Sequence, residues 1–329
     1  MTKTKHSGSE SGFSLVELLV AMTITLMISG AIYGLMTGGQ RAFQREPELT
    51  DRQQNARLAL SLIERDVAKA GAKFALTSQA FTNALDDAGL TLGLVGNTDI
   101  LETVGANGDC PDVDLAGSPA ANVQAALTVP SCFPDEAMVM LFYGSGSAKW
   151  GFAQNVHVAT RLVEIPIAKQ PAASQFQAEA DIRTPSVPVR LGLVDLVRYQ
   201  VANDAGGVPN LYRSARGGIK LDGAFVDPPD VAGGWQLVAR GVEDLQVRYQ
   251  VGADTNPLVW ANTPGVQVDV DTVVRRVEIT LSARSMIANI QGQTANANLG
   301  SAVRGQLVTV VSPRAALFNM QGVAANQWR

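Results

Sequence analysis

One charged side chain, that of Glu17, stands within an apolar run that extends from Phe13 to Met36. An ionised carboxylate costs about 2–3 kcal/mol at the centre of a bilayer and usually has a partner, so Glu17 is a candidate functional residue. If a protease cuts after Gly12, Phe13 gains a cationic α-amino group about one helical turn from Glu17. The two charges can then pair within one chain or between neighbouring helices. Without cleavage, an interfacial Glu17 would instead reach towards lipid headgroups.

The apolar run has the length of a membrane span. Phe13–Met36 would extend about 36 Å as a helix at about 1.5 Å per residue, and a bilayer core is about 30 Å thick. The polar leader, residues 1–12, ends in the small residues Ser11 and Gly12. In a secretory signal peptide the small residues follow the apolar run. Cleavage after Gly12 would therefore leave the apolar run on the mature protein. We assign residues 13–39, which contain this run, as the hydrophobic membrane or filament segment of the helix.

Three glycines four residues apart, Gly30, Gly34 and Gly38, share one face of this predicted helix. Glycines at that spacing let a second helix backbone approach closely, which predicts a helix-packing face. Glycine also weakens a helix, so the same residues are compatible with a segment that stretches in an assembly.

A second helical pattern follows in residues 40–76. Pro47 predicts a kink or an interruption, and the helix as a whole is expected from Phe13 to Gly71. An apolar stripe at i, i+3 and i+4 spacing predicts that this half packs on a globular domain. The stripe consists of Ala56, Leu60, Ile63, Val67 and Ala70.

Residues 77–329 are rich in short β-type runs bounded by Gly, Pro, Asn and Asp. The polar segment 77–135 has weak periodicity and is interpreted as a variable insertion. "VRYQV" occurs at 197–201 and again at 247–251, and the turn-rich segment after the first copy predicts a hairpin. The fold class is therefore α+β. The predicted strands are 136–144, 156–165, 193–203, 210–216, 235–252 and 274–285.

The segment "SGFSLVELLVAMTI" resembles the class III signal of type IV pilins and type II secretion pseudopilins. The resemblance implies a type IV pilin-like fold, with a long N-terminal helix packed on an antiparallel β-sheet domain. It also implies that a prepilin peptidase cuts between Gly12 and Phe13 and that Phe13 is N-methylated. Glu17 would then neutralise the amine of an adjacent subunit as the helices stack in a filament.

Further segments resemble PilW-type minor pilins: "QNARLALSLIERDVAKAGA", "LVARGVEDLQVRYQV" and "VRRVEITLSARS". The expected function is a minor pilin that joins a priming or tip complex in type IV pilus assembly. Its implied partners are prepilin peptidase, other minor pilins, the major pilin and the inner-membrane assembly platform. The implied location is the inner membrane, with a single span and a periplasmic C-terminal domain, and later the pilus tip. A minor pseudopilin of type II secretion shares this plan and is the alternative.

Whether the two cysteines form a disulfide depends on the compartment, because their spacing alone is compatible with both a disulfide and two free thiols. In the periplasm implied by the resemblance, Cys110 and Cys132 are expected to form a disulfide worth about 3 kcal/mol.

The sequence contains few residues in patterns typical of catalytic, metal-binding or nucleic-acid-binding sites. The sequence lacks G-x-S-x-G, H-E-x-x-H, P-loop and paired C-x-x-C motifs, so no catalytic residue and no cofactor are expected. A signal-anchored enzyme or binding protein is the remaining alternative. The acidic group Asp109, Asp112 and Asp114 lacks the glycine and the terminal glutamate of an EF-hand, so no metal is expected. The net charge of −4 and the scattered basic residues disfavour a nucleic-acid partner.

Overall fold

The computed structural model describes most of the chain, with gaps. The described residues are 12, 14–71, 80–81, 98–107, 110–115, 122–124, 132–133, 137–143, 148–157, 162–170, 174, 176, 178–183, 188–222, 224–252, 259–265, 273–285 and 304–313.

A single helix, α1, runs without a break from Leu15 to Lys69, over 55 residues. Pro47 therefore does not interrupt it, contrary to one of the two outcomes predicted. A proline removes one backbone N–H donor, and the loss of one bond does not end a helix that continues for several turns on either side. The helix ends where Gly71 adopts a left-handed φ of 71°, which glycine tolerates without steric cost. The predicted stop at Gly71 is confirmed.

Fourteen strands and a short second helix are assigned in the described part of the chain. Helix α2 spans Glu179–Arg183. The strands are β1 Leu101–Ala106, β2 Val113–Asp114, β3 Asn122–Gln124, β4 Met138–Tyr143, β5 Ala148–Phe152, β6 Gln154–His157, β7 Leu162–Glu164, β8 Pro188–Asn203, β9 Pro209–Ser214, β10 Trp235–Arg240, β11 Val242–Val251, β12 Val259–Ala261, β13 Val274–Arg284 and β14 Arg304–Val311.

These strands form three antiparallel sheets. The first has the order β10-β9-β8-β4-β5, and β1 and β2 also pair with its long strand β8. The second, which we call the C-terminal sheet, has the order β12-β11-β13-β14. The third and smallest has the order β3-β7-β6. The predicted α+β class, an N-terminal apolar helix followed by antiparallel sheets, is confirmed.

The predicted strand 235–252 is two strands in two different sheets. Gly241, with a φ of 73°, separates β10 in the first sheet from β11 in the C-terminal sheet. The continuous apolar pattern hid this change of sheet, since both strands bury side chains in the same core. The predicted hairpin after the first "VRYQV" is confirmed, because β8 and β9 pair from Arg198–Ser214 to Asn203–Pro209.

Part of the predicted insertion belongs to the main sheet. Strand β1 lies within 77–135 and pairs with β8 along its whole length. Leu101 and Val104 are fully buried. A six-residue strand with two core side chains gives too short a periodic signal to be recognised in the sequence. The interpretation of 77–135 as a variable insertion stays a prediction. The other described residues of 77–135 lie on short strands and turns.

The largest core lies beneath the second half of α1 and joins the two larger sheets. Both copies of "VRYQV" contribute to it, with Tyr199 from β8 and Tyr249 from β11 buried. Side chains of β13 complete its floor, among them Ile279. A second core surrounds Cys110, and a third surrounds Trp150. Strand β4 alternates its side chains between these last two cores, which accounts for its continuous apolar sequence.

Candidate functional site

The N-terminal end of α1 is capped by its own residues. Ser14 is the N-cap, and its Oγ accepts a hydrogen bond from the Val16 N–H at 3.3 Å. The Ser14 N–H donates to Glu17 Oε2 at 3.2 Å, which makes a capping box. Glu17 also lies in the first turn, where a negative charge is favoured by the helix dipole. Within the described chain, therefore, the Glu17 carboxylate caps its own helix.

Gly12 is exposed and lies outside the helix. A Cβ added at Gly12 would meet no heavy atom within 4 Å, so the fold itself does not require glycine there. Phe13, the predicted site of N-methylation, lies outside the described residues. The predicted pairing of its amine with Glu17 therefore stays a prediction, as does cleavage after Gly12.

The first half of α1 is not buried by any other described part of the chain. Leu15–Gln40 is long and apolar enough to cross a membrane, by length and composition, and none of it is buried. Its threonines hydrogen-bond to their own helix: Thr25 Oγ1 donates to the Ala21 carbonyl at 2.7 Å, and Thr37 Oγ1 donates to that of Tyr33 at 3.0 Å. Hydroxyls satisfied in this way cost little in hydrocarbon.

The three glycines of the predicted packing face lie on this exposed half. No heavy atom lies within 4 Å of a Cβ added at Gly30, Gly34 or Gly38. The fold of the single chain therefore gives no reason for glycine at these positions. Their role in helix packing stays a prediction about contacts with other helices.

The second half of α1 is seated on both larger sheets. The predicted stripe is buried, and Ala59 joins it, with Ile63, Val67 and Ala59 fully inaccessible. This confirms the face assigned from the apolar periodicity. We call residues 56–70, which comprise the end of α1 and its C-cap Ala70, the seated segment, and the globular part on which it rests the head.

A charged group missed in the sequence analysis lies within the seated segment. Asp66 is 5% exposed and accepts two hydrogen bonds on Oδ2, one from the Tyr199 hydroxyl at 2.6 Å and one from Arg213 Nε at 2.7 Å. The ion pair joins the helix to β8 and β9. An aspartate between Ile63 and Val67, inside an apolar stripe, was the signal in the sequence.

Electrostatics keep the two donors to Asp66, Tyr199 and Arg213, in their protonated forms. Burial, and then the negative charge of Asp66, raise the pKa of the Tyr199 hydroxyl, so it stays protonated and donates. Burial alone would lower the pKa of Arg213, but its hydrogen bond to Asp66 and the charge of that carboxylate outweigh burial and raise it. The result is a fixed, charge-assisted connection between α1 and the first sheet.

A second polar connection joins α1 to the C-terminal sheet. The Thr309 hydroxyl on β14 donates to Glu64 Oε1. Glu64 and Asp66 thus contact different sheets from neighbouring positions on the helix. Together with the apolar stripe, they fix the rotation of α1 relative to the head.

The structure joins Cys110 and Cys132 in a disulfide with a Cα–Cα distance of 5.7 Å, within the usual range. Cys110 is buried in the second core, beside Phe133. The bridge therefore anchors a segment of the predicted insertion to the head. Whether the bond forms in the cell stays a prediction about the compartment.

The acidic residues of "GDCPDVD" face an arginine. Asp112 and Asp114 form ion pairs with Arg190 at 3.3 Å and 3.7 Å, while Asp109 lies outside the described residues. Among the residues that the structure describes, no group of three or more His, Cys, Asp or Glu side chains is placed to bind a metal.

Comparisons with known proteins identify a motif at the start of α1. No curated protein matches the chain. Among solved structures, a type IV-like pilin from Thermus thermophilus is similar over 56% of this chain and 87% of its own length, at 12% identity and a TM-score of 0.20. Residues 8–33 match the family described as "Prokaryotic N-terminal methylation motif". That motif, at the start of a long apolar helix, supports a structural role as a type IV pilin or pseudopilin.

Proposed function

We propose that this chain is a minor pilin of PilW type that takes part in type IV pilus assembly. One observation carries the proposal: an N-terminal methylation motif continues into a 55-residue helix whose first half is apolar and unburied. A surface of that kind needs lipid or other helices as its partner. Membership of the PilW type rests on the resemblance of the seated segment, of β10 and β11, and of β13 to minor pilins.

Processing is the first step of the proposed function. Prepilin peptidase cuts between Gly12 and Phe13, and Phe13 is then N-methylated. Two features support this: Gly12 is exposed outside the helix, and the capping box begins at Ser14. Cleavage therefore leaves the N-cap and every residue of α1 on the mature chain.

The processed chain is held in the inner membrane by a single span, with its head in the periplasm. A disulfide between Cys110 and Cys132 agrees with that oxidising compartment. From the membrane, the chain joins other minor pilins and the major pilin on the assembly platform, and it ends at the pilus tip. Its role is structural, with no enzymatic step and no cofactor.

Glu17 has a double role in this proposal. Its Oε2 accepts from the Ser14 N–H, and a carboxylate has two oxygens that can accept hydrogen bonds. The same side chain is therefore able to cap its own helix and to face the methylated amine of an adjacent subunit. The capping bond orients the carboxylate towards the N-terminal end of α1, where such an amine lies.

Deletion of the gene tests the function. Surface pili are sheared and quantified beside the secreted exoprotein of the same culture. Loss of pili with intact secretion is expected. Intact pili with blocked secretion would assign the chain to the pseudopilins of type II secretion, and unchanged pili and secretion would refute both functions.

Two substitutions at Glu17 separate its roles. Glu17→Gln keeps an oxygen acceptor for the Ser14 N–H but has no charge, whereas Glu17→Ala loses both. Cleavage, followed by the size of the processed chain, is expected in both variants. If the charge pairs with an amine, both variants lose incorporation into sheared filaments. Normal incorporation of Glu17→Gln would show that helix capping is sufficient and would contradict the pairing.

A further inference from the structure

Strand β14 forms one edge of the C-terminal sheet. It pairs with β13 from Arg284–Arg304 to Val277–Val311, and no described strand pairs with its other edge. Within the part of the chain that the structure describes, the N–H and C=O groups that point away from β13 are therefore open to another strand. Such an edge is a template for strand addition.

The residues of β14 do little to prevent this pairing. The strand is eight residues long, and Val308 and Val310 on its outer face are 58% and 50% exposed. Its one charged residue, Arg304, is engaged by Glu243, with Nε–Oε2 at 2.6 Å. From Gly305 to Val311 there is neither a charge nor a proline.

The other outer strands differ in this respect. Strand β12 has three residues, and β5 has five and carries Lys149. Strand β10 is distorted by a register shift between Leu237 and Ala239. The edge of β1 is covered by Ala80 and Phe81, which bond to it. Short length, charge, irregularity and coverage are the usual protections of a sheet edge, and β14 has none of them among the described residues.

We propose that the open edge of β14 accepts an extended, uncharged strand from a neighbouring pilin-type subunit. The inference rests on the proposed function, because it takes the neighbour to be a chain with its own N-terminal methylation motif. The backbone of the edge recognises a strand, and the flanking side chains define its composition. Next to Val308 and Val310, β-branched and apolar residues pack best.

By symmetry, a second copy of this chain cannot occupy the edge through its own β14. Antiparallel pairing of two β14 strands places a two-fold axis perpendicular to the sheet. Helix α1 packs on the face of that sheet, with Glu64 bonded to Thr309, so the axis would reverse the second α1. Two reversed helices cannot enter one membrane in the same direction. The strand must therefore come from a different segment of a differently placed neighbour.

The position of β14 suits such a neighbour. Thr309 contacts α1 directly, and Leu307 and Val311 pack against the core beneath the helix. The open edge thus runs beside the seated segment. A subunit whose helix lies alongside α1 would bring its head to this edge, and pairing there would extend the C-terminal sheet from one head to the next.

The test places a photo-crosslinking amino acid at Val310 of the full chain in its own cells. Val259 of β12, which is 63% exposed on the opposite edge of the same sheet, serves as the control position. The crosslinked peptides are identified by mass spectrometry. We expect Val310 to capture an extended segment of a chain that carries an N-terminal methylation motif, and Val259 not to capture that segment.

A second variant tests the edge without a probe at the contact. Val308→Lys with Val310→Lys adds the charges that protect natural edges, at positions where both side chains reach water. We expect the unfolding midpoint of the detergent-solubilised chain to be unchanged and co-purification of the captured subunit to be lost. A retained complex would overturn the proposal.

Two further outcomes would also overturn it. One is capture of a second copy through its own β14. The other is the absence of a protein adduct at Val310 together with rapid amide exchange of Gly305–Val311 in the membrane-assembled state. If deletion affects neither pili nor secretion while Val310 still captures a methylation-motif protein, the edge pairing stands and the proposed function fails.

Discussion

The two halves of α1 differ in where their partners lie. In the first, Leu15–Gln40, no residue is buried by the remaining residues that the structure describes. In the seated segment, Ala59, Ile63 and Val67 are fully buried between two sheets. The head therefore accounts for the sequence of one half only. No described part of the head covers the apolar surface of the other half, which suits surroundings of lipid or of other helices.

The polar residues of the two halves follow the same division. Thr25 and Thr37 in the first half bond to carbonyls of their own helix, whereas Asp66 and Glu64 in the second bond to strands of the head. A substitution in the second half is expected to change the free energy of unfolding of the head. A substitution in the first half is expected to change assembly and leave that free energy as it was.

The largest effects on the free energy of unfolding are expected in the seated segment, beginning with Asp66→Ala. The substitution leaves the Arg213 guanidinium and the Tyr199 hydroxyl without their shared acceptor. Loss of one partner of a buried ion pair costs about 3–5 kcal/mol. We expect about 3 kcal/mol, the lower end, because the Arg213 side chain is 19% exposed and can recover some hydration. Urea unfolding of the detergent-solubilised chain, followed by tryptophan fluorescence, measures the change.

Asp51→Ala is the matched control, because it makes the same change at an exposed position of the same helix. A surface substitution of this kind changes stability by less than about 0.5 kcal/mol. Equal changes in the free energy of unfolding of the two variants would show that the connection from Asp66 to β8 and β9 does not stabilise the packing of the seated segment on the head. A double-mutant cycle with Arg213→Ala then gives the coupling energy.

The next prediction compares the same type of substitution, isoleucine to alanine, in the two halves of α1: Ile63→Ala and Ile28→Ala. Ile63 is inaccessible in the core, whereas Ile28 is 55% exposed. Removal of a buried isoleucine side chain to alanine costs about 2–5 kcal/mol. Ile63→Ala is therefore expected to lower the free energy of unfolding by that amount, and the urea midpoint falls with it. Ile28→Ala is expected to leave it unchanged. A comparable loss in both would mean that the first half also packs on the head.

The sequence was sufficient to predict features that depend on local pattern. The apolar stripe of the seated segment, the stop at Gly71 and the hairpin after Val201 are confirmed, because each has a periodicity or a turn residue of its own. The capping box at Ser14 was not predicted, although a serine three residues before Glu17 is its usual signature.

Features that depend on contacts between residues far apart in the sequence were harder to predict. The two "VRYQV" strands show why. Arg198 of the first is 4% exposed, with its guanidinium 5.2 Å from the Phe225 ring. Arg248 of the second forms an ion pair with Glu278 at 3.4 Å and its side chain is 49% exposed. The same five residues thus have different surroundings, set by which strands and loops lie next to them.

The smallest effect on stability, and the sharpest test of the first half, is expected for Gly34→Leu and its control Gly39→Leu. Neither position has a heavy atom within 4 Å of an added Cβ, so neither substitution is expected to move the urea midpoint of the head. The two residues point to different sides of the helix, at about 100° per residue. If Gly30, Gly34 and Gly38 admit a second helix, only Gly34→Leu blocks the close approach and lowers incorporation into sheared filaments. Equal incorporation of the two variants would refute a specific packing face, and an equal loss would indicate that the helix needs glycine for its flexibility rather than for contact.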